Sequence, residues 1–117
     1  MNPLYADAVV RVRAEPQTDR YGNPSGERDW QNAERVEITG VSLQPASVDS
    51  SAEDGGDRQT IVTRWHLVSQ RGRDLDITAD DRVEAQGMSF DVDGEISRYR
   101  YGGRIHHVEC YLERVVR

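Results

Sequence analysis

The stretch Asp80-Asp81-Arg82-Val83-Glu84-Ala85-Gln86-Gly87-Met88-Ser89-Phe90-Asp91-Val92-Asp93-Gly94-Glu95-Ile96-Ser97-Arg98-Tyr99-Arg100-Tyr101-Gly102-Gly103-Arg104 decides the fold class. Val83 and Ala85 alternate with charged neighbours, and Phe90 and Val92 do so again after Gly87. A period of two marks a strand with one face on a core and the other in water. The segment therefore reads as two half-buried strands joined at a glycine. Asp93-Gly94 then predicts a reversal of the chain, because both residues tolerate the positive φ angles of a tight hairpin turn.

The flanking chain carries the same period. Ala8, Val10, Val12 and Ala14 fall on one face of a first strand, with Arg11 and Arg13 on the other. From Glu34 to Gln44 the apolar positions are Val36 and Ile38, then Val41 and Leu43, so the parity switches across Thr39-Gly40. A glycine at such a switch predicts a bulge, and Pro45, which cannot donate to a ladder, predicts the strand's end.

Thr60 to Ser69 places Ile61, Thr63, Trp65 and Leu67 opposite Val62, Arg64, His66 and Val68. Gln70-Arg71-Gly72-Arg73 reads as a turn and Asp74 to Ala79 as a short extension. In the last strand, Ile105 to Val116, Val108, Cys110 and Leu112 share a face with His106, opposite His107, Glu109, Tyr111 and Glu113. No stretch shows the three-and-four spacing of an amphipathic helix. The reading is all-β: one domain over 1–117, a small antiparallel β-barrel or sandwich of about six or seven strands.

Two segments break the period. Between Glu15 and Asn32, Pro16, Tyr21-Gly22-Asn23-Pro24 and Ser25-Gly26 predict a long loop at about 15–32, with Trp30 either pinning it to the core or anchoring a partner. Ala46 to Gln59 has Val48 as its only sizeable apolar side chain among Ser47, Asp49, Glu53, Asp54 and Asp57. Such a stretch cannot bury enough surface to offset its ordering entropy, which predicts a second loop at about 46–59.

At 36% hydrophobic and 31% charged residues, the chain lies near the polar edge of what folds alone. A single modest core, completed by neighbours in an assembly, fits that balance. The net charge of -6 argues against a free nucleic-acid binder, which would carry a basic face. All fifteen basic residues are arginine, a composition bias that suits interfaces. One cysteine, Cys110, allows no intramolecular disulfide and fits a reducing compartment. Neither a signal peptide nor an apolar run of ~20 residues is visible, so no membrane is expected.

The residues offer little to catalysis. Asp74, Asp76, Asp80, Asp81, Asp91 and Asp93 match no calcium-loop spacing. His66, His106 and His107 include an adjacent pair that a regular strand would point to opposite faces, which disfavours a shared metal. Burial predicted for Cys110 makes it an inert thiol. No catalytic, cofactor or metal residues are assigned, and an enzyme is not expected. Arg98-Tyr99-Arg100-Tyr101, followed by Arg104, is the one basic and aromatic run. Tyrosine and arginine favour a protein contact there, with single-stranded nucleic-acid stacking as the alternative.

Taken in order, the first strand, Tyr21-Gly22-Asn23 with Trp30, Leu43-Gln44-Pro45, the polar loop, Trp65, Asp80-Asp81-Arg82-Val83 with Gly87, Phe90-Asp91-Val92-Asp93-Gly94 and His107-x-Glu109 resemble the head-to-tail stopper, or head-closure, proteins of long-tailed bacteriophages. The resemblance implies a barrel subunit repeated as a ring in the virion neck. The neighbours it implies are an adaptor or portal ring on the head side and tail terminator or tail tube proteins on the other. It also implies that the 46–59 loop faces a channel holding packaged double-stranded DNA and helps retain it until ejection, through Ser47, Val48, Asp49, Glu53, Asp54 and Asp57. In such a ring Tyr21, Trp30, Arg71, Arg73, Arg98, Tyr99, Arg100 and Tyr101 are the expected ring or neighbour contacts. No cofactor is implied.

Overall fold

A computed structural model of the chain describes residues 3–50 and 60–117. Eight strands follow in order: β1 (Asp7–Arg13), β2 (Pro16–Thr18), β3 (Pro24–Arg28), β4 (Glu34–Ser50), β5 (Thr60–Ser69), β6 (Arg82–Ala85), β7 (Met88–Tyr101) and β8 (Arg104–Val115). Among the described residues helix is confined to two three-residue 3-10 turns, Pro3–Tyr5 and Trp30–Asn32. Six strands close into an antiparallel barrel in the order β1-β4-β5-β8-β7-β6, with β6 pairing back onto β1. Closure leaves no open edge around the barrel wall. The all-β barrel read from the sequence is the fold.

Outside β1 and residues 70–81, the inward side chains are those picked out by alternation. Val41, Leu43, Leu67, Val83, Phe90, Val108, Cys110 and Leu112 form the core, and Trp65 meets the Phe90 ring edge-on at 5.9 Å. The bulge at Gly40 is present: Asp7 pairs with Val41 and Ala8 with Thr39, and Gly40 takes φ 70. The extra residue lets Ile38 and Val41 both face the core. There β4 passes from pairing with β1 to pairing with β5.

The structure departs from the sequence reading at four places. Pro45 does not end β4, which continues to Ser50 with Pro45 opposite Trp65 and Ser50 opposite Thr60. Beyond Val41 this strand has β5 on one side only, so a nitrogen that cannot donate is tolerated beside the bulge that follows it. Asp93-Gly94 does not reverse the chain either. Asp93 pairs with Tyr111 and Ser97 with Glu109, so residues 94–96 bulge while β7 continues along β8. The reversal comes at Gly102-Gly103, with φ 61 and 79 between the Tyr101–Arg104 pair, the signature of a type I′ turn. Positive φ at Gly94 serves a bulge as well as a turn, and the twelve-residue β8 offers one partner to both halves of β7.

Third, the two faces of β1 are exchanged. Val9 enters the core with Arg11 on the same face, while Val12 and Ala14 are buried on the other. Val12 pairs with Arg82, and Arg82 lies 3.7 Å from the Trp30 ring, so the covering of that outer face comes from the Trp30 turn. Fourth, the 15–32 region is not wholly irregular: β2 and β3 pair into a small exposed hairpin, the arm. The arm's turn is fastened by Asp19, whose carboxylate accepts from the amides of Tyr21 and Asn23.

Residues 74–79, the short extension, join no sheet. The segment from Gln70 to Asp81 is a strap across one barrel end, with Leu75 and Ile77 sunk into the core. A strap without ladder partners must satisfy its polar groups otherwise, and arginines do this. Arg11 and Arg13 donate to the Asp76 carboxylate, and Arg98 donates to the carbonyl of Leu75 at 3.0 Å and to Asp74 at 3.1 Å. Ser69 adds a hydroxyl that donates to the Arg73 carbonyl and accepts from the Val108 amide.

Candidate interaction surfaces

Register fixes where the projecting parts lie. The last pair between β5 and β8 at the strap end is Val68–Glu109, and β7 and β8 run on past it to Tyr101–Arg104, forming a free-standing tip. The arm leaves β1 after Arg13 and returns through the Trp30 turn to Glu34, the residue paired with Arg13. Arm and tip thus project from the strap end, from opposite walls of the barrel. The β4–β5 hairpin extends the other way, through Asp49–Ile61 and Ser50–Thr60. The radius of gyration, 16.9 Å, exceeds the roughly 13 Å of a compact domain of this length, as projecting hairpins require.

The outer face of β5, β8 and β7 carries a continuous row of touching polar and aromatic side chains. Arg64 lies 3.9 Å from the centroid of Tyr111 and 3.3 Å from Asp93, and Tyr111 stacks on His66 at 4.7 Å. Glu109 follows, its Oε1 2.7 Å from Nε2 of His66 and its Oε2 2.7 Å from Nε2 of His107. The His66 contact has ion-pair distance without the direction of a hydrogen bond, so His107 is the better-placed donor. Tyr99 closes the row, stacked on His107 at 4.6 Å and 12°. Cross-strand pairs of these kinds contribute about 0.2–1 kcal/mol each.

His106 completes this site against expectation. The register shift between Tyr99 and Arg100 makes it the extra residue of a bulge in β8, and its Nδ1 lies 2.9 Å from Nδ1 of His107. Adjacent side chains point to opposite faces only in a regular strand. With Nε2–H of a neutral His107 donating to Glu109, its Nδ1 accepts from Nδ1–H of His106. Burial raises the affinity of Glu109 for a proton, but the hydrogen bond from His107 and the close approach of the His66 ring nitrogen outweigh it and hold the carboxyl below its usual range. Among the described residues no group of histidines, cysteines and carboxylates is arranged to hold a metal ion.

The sequence-predicted residues separate by location. Tyr21 (73% exposed) sits on the arm with Arg20 over its ring, and Tyr101 (81% exposed) sits at the tip beside Arg100 and Arg104. Trp30 is half-buried against Arg82, and Arg98 is taken up by the strap. Arg71 and Arg73 flank the turn whose Gly72 amide donates to the His106 carbonyl. Ser47 and Asp49 are ladder residues of outer β4, with Val48 between them. Glu53, Asp54 and Asp57 lie outside the described residues. Cys110 is buried, which pushes its thiol up to about 12 and removes it as a nucleophile at neutral pH.

The row was half legible: His107, Glu109 and Tyr111 share a face by parity. Its link to His66 needed the register of β5 on β8, and its link to His106 needed the bulge.

No protein-family model matches the sequence, and no curated protein matches it significantly. Solved structures do match its fold. A chain of the native gene transfer agent virion aligns over 99% of this chain and 100% of its own, at 17% identity and TM-score 0.61. Protein SF1141 of Shigella flexneri 2a aligns over 97% and 96%, at 16% identity and TM-score 0.55. The protein xkdH of the phage-like element PBSX of Bacillus subtilis aligns over 92% of both chains, at 15% identity and TM-score 0.50. The chain has, from end to end, the barrel fold seen in a virion component and in a protein of a phage-like element.

Proposed function

We propose that this chain is a non-enzymatic structural subunit of a phage-type neck, a head-to-tail stopper. It forms a ring between a portal-bound adaptor and the tail, joins head to tail and helps retain packaged double-stranded DNA. The observation that carries the reading is the likeness of fold to a gene transfer agent virion chain, which extends over 99% of this chain. The order of sequence features that resembles head-closure proteins supports it independently. So does the surface, where paired and stacked side chains form a continuous polar and aromatic face.

In this reading the β4–β5 hairpin points into the channel. Its acidic residues Asp49, Glu53, Asp54 and Asp57, repeated around a ring, give a lumen of one sign that repels phosphates and discourages adhesion of the DNA. A nucleic-acid stacking module would need open ring faces at the tip. One face of Tyr99 is covered by His107, and Arg98 is held by Asp74, which favours the protein-contact reading.

Replacing residues 51–59 by a two-residue turn tests the reading. The barrel should stay folded and assemble into necks, while filled heads leak DNA. Heads that stay filled and sealed would remove the gating role. Particles whose neck has no layer containing the chain would remove the whole assignment.

A further inference from the structure

We infer that the β7–β8 tip of one copy docks on the β2–β3 arm of a second copy, as a head-to-tail contact between cationic and acidic hairpins. The inference rests on the neck-subunit reading and names the contact by which that subunit would meet its own kind.

The tip is cationic in a chain of net charge -6. From Ile96 to Arg104 there is no acidic residue. Arg98 is neutralised by Asp74, whereas Arg100 and Arg104 have no ionic partner among the described residues, and Tyr101 between them is 81% exposed. The arm has the opposite character. Residues 15–29 hold Glu15, Asp19, Glu27 and Asp29 against Arg20 and Arg28, and Arg28 is turned inward to the Ala14 carbonyl and Asp80. Glu15 and Glu27 are exposed and have no ionic partner among the described residues, with the exposed Tyr21 at the arm's turn.

The two hairpins cannot meet within one copy. In the barrel order β1-β4-β5-β8-β7-β6, β1 and β8 are three strands apart in either direction, so arm and tip rise from opposite walls. They rise from the same end, since both flank the strap that Arg11, Arg13 and Arg98 hold. A second copy beside the first therefore presents its arm to the first copy's tip at the same level. Two different patches on opposite walls make a heterologous contact, the kind that closes into a ring when the rotation allows. Opposite charge on the two patches gives the contact its polarity and disfavours tip-to-tip and arm-to-arm encounters.

The test uses the full chain in two charge-reversed forms, R100E/R104E at the tip and E15R/E27R at the arm, with self-association followed by sedimentation velocity and fold by circular dichroism. Each form alone should associate on the order of tenfold more weakly than the parent, because its tip and arm now carry one sign. An equimolar mixture should associate again, since each form then meets its complement. Either form associating like the parent, a mixture that stays apart, or a parent that stays monomeric at every concentration overturns the contact. A tip variant that loses oligonucleotide binding while associating normally overturns it in favour of a nucleic-acid surface. Failure here leaves the neck assignment standing if particles still show the protein in a neck layer, so the two can be told apart.

Discussion

Arg13 holds Asp81 with two parallel bonds, Nε to Oδ1 at 2.9 Å and Nη2 to Oδ2 at 2.8 Å. The pair ties the end of the first strand to the end of the strap, and Asp81 is buried while Arg13 is about a third exposed. A planar fork matched to a carboxylate is a geometry that lysine cannot reproduce. Asp81 also accepts from the Thr78 amide, so it organises the last turn of the strap before β6 begins.

Arg13→Ala should therefore lower stability by about 2 kcal/mol or more, because it strands a buried carboxylate with only its local partner. Arg13→Lys should recover less than half of that loss. Urea midpoints at unchanged slope would measure it, and an unchanged midpoint for the alanine variant would show that the strap closes without this pair.

Acid should loosen the strap first. The Arg13 bond holds the Asp76 carboxyl below its usual range. Burial acts to raise Asp81, but the bonds from Arg13 and Thr78 outweigh it and leave it depressed. Groups depressed in the folded state contribute stability that is present above their unfolded values, about 3.9, and is lost as pH falls through the folded ones. Melting temperature should thus fall steeply below about pH 4, and Asp81→Asn should flatten that limb. A limb equally steep in the variant would assign the acid transition to other carboxylates.

The turn at the tip depends on backbone, not contacts. Nothing stands within 4 Å of a side chain added at Gly102 or Gly103, yet both have positive φ. Gly102→Ala should cost about 1–2 kcal/mol through strain alone, and Asn at the same position should cost less. Equal losses for both substitutions would point to a hidden clash instead.

Cys110 should be silent to alkylating reagents in the folded protein at neutral pH. Burial removes both access and the thiolate, with the thiol pushed up to about 12. The labelling rate should track the unfolded fraction across a denaturant series; rapid labelling without denaturant would mean that β8 opens locally.

The barrel was legible because alternation is a local property of the chain. Phe90 and Val92, or Leu67 beside His66, announce their faces within a few residues, and the parity switch at Thr39-Gly40 announced its bulge in the same way. The same signal could not tell which glycine reverses the chain. Asp93-Gly94 and Gly102-Gly103 both allow positive φ, and the choice was made by β8, which extends far enough to pair with both halves of β7. Nor could it tell that the arginine face of β1 turns inward, since that depended on Asp76 and Asp81 arriving from 63 and 68 residues away.

The sequence by itself determined an all-β chain with an inert buried thiol, inward-facing apolar positions and a basic, aromatic run near its end. Only the tertiary structure decided that three arginines fasten a strap, that His106 joins His107 and Glu109 on one face, and that arm and tip stand on opposite walls. The reason is physical. Period and composition are fixed by neighbours along the chain, whereas register, closure and charge pairing are fixed by residues that meet only once the barrel has closed.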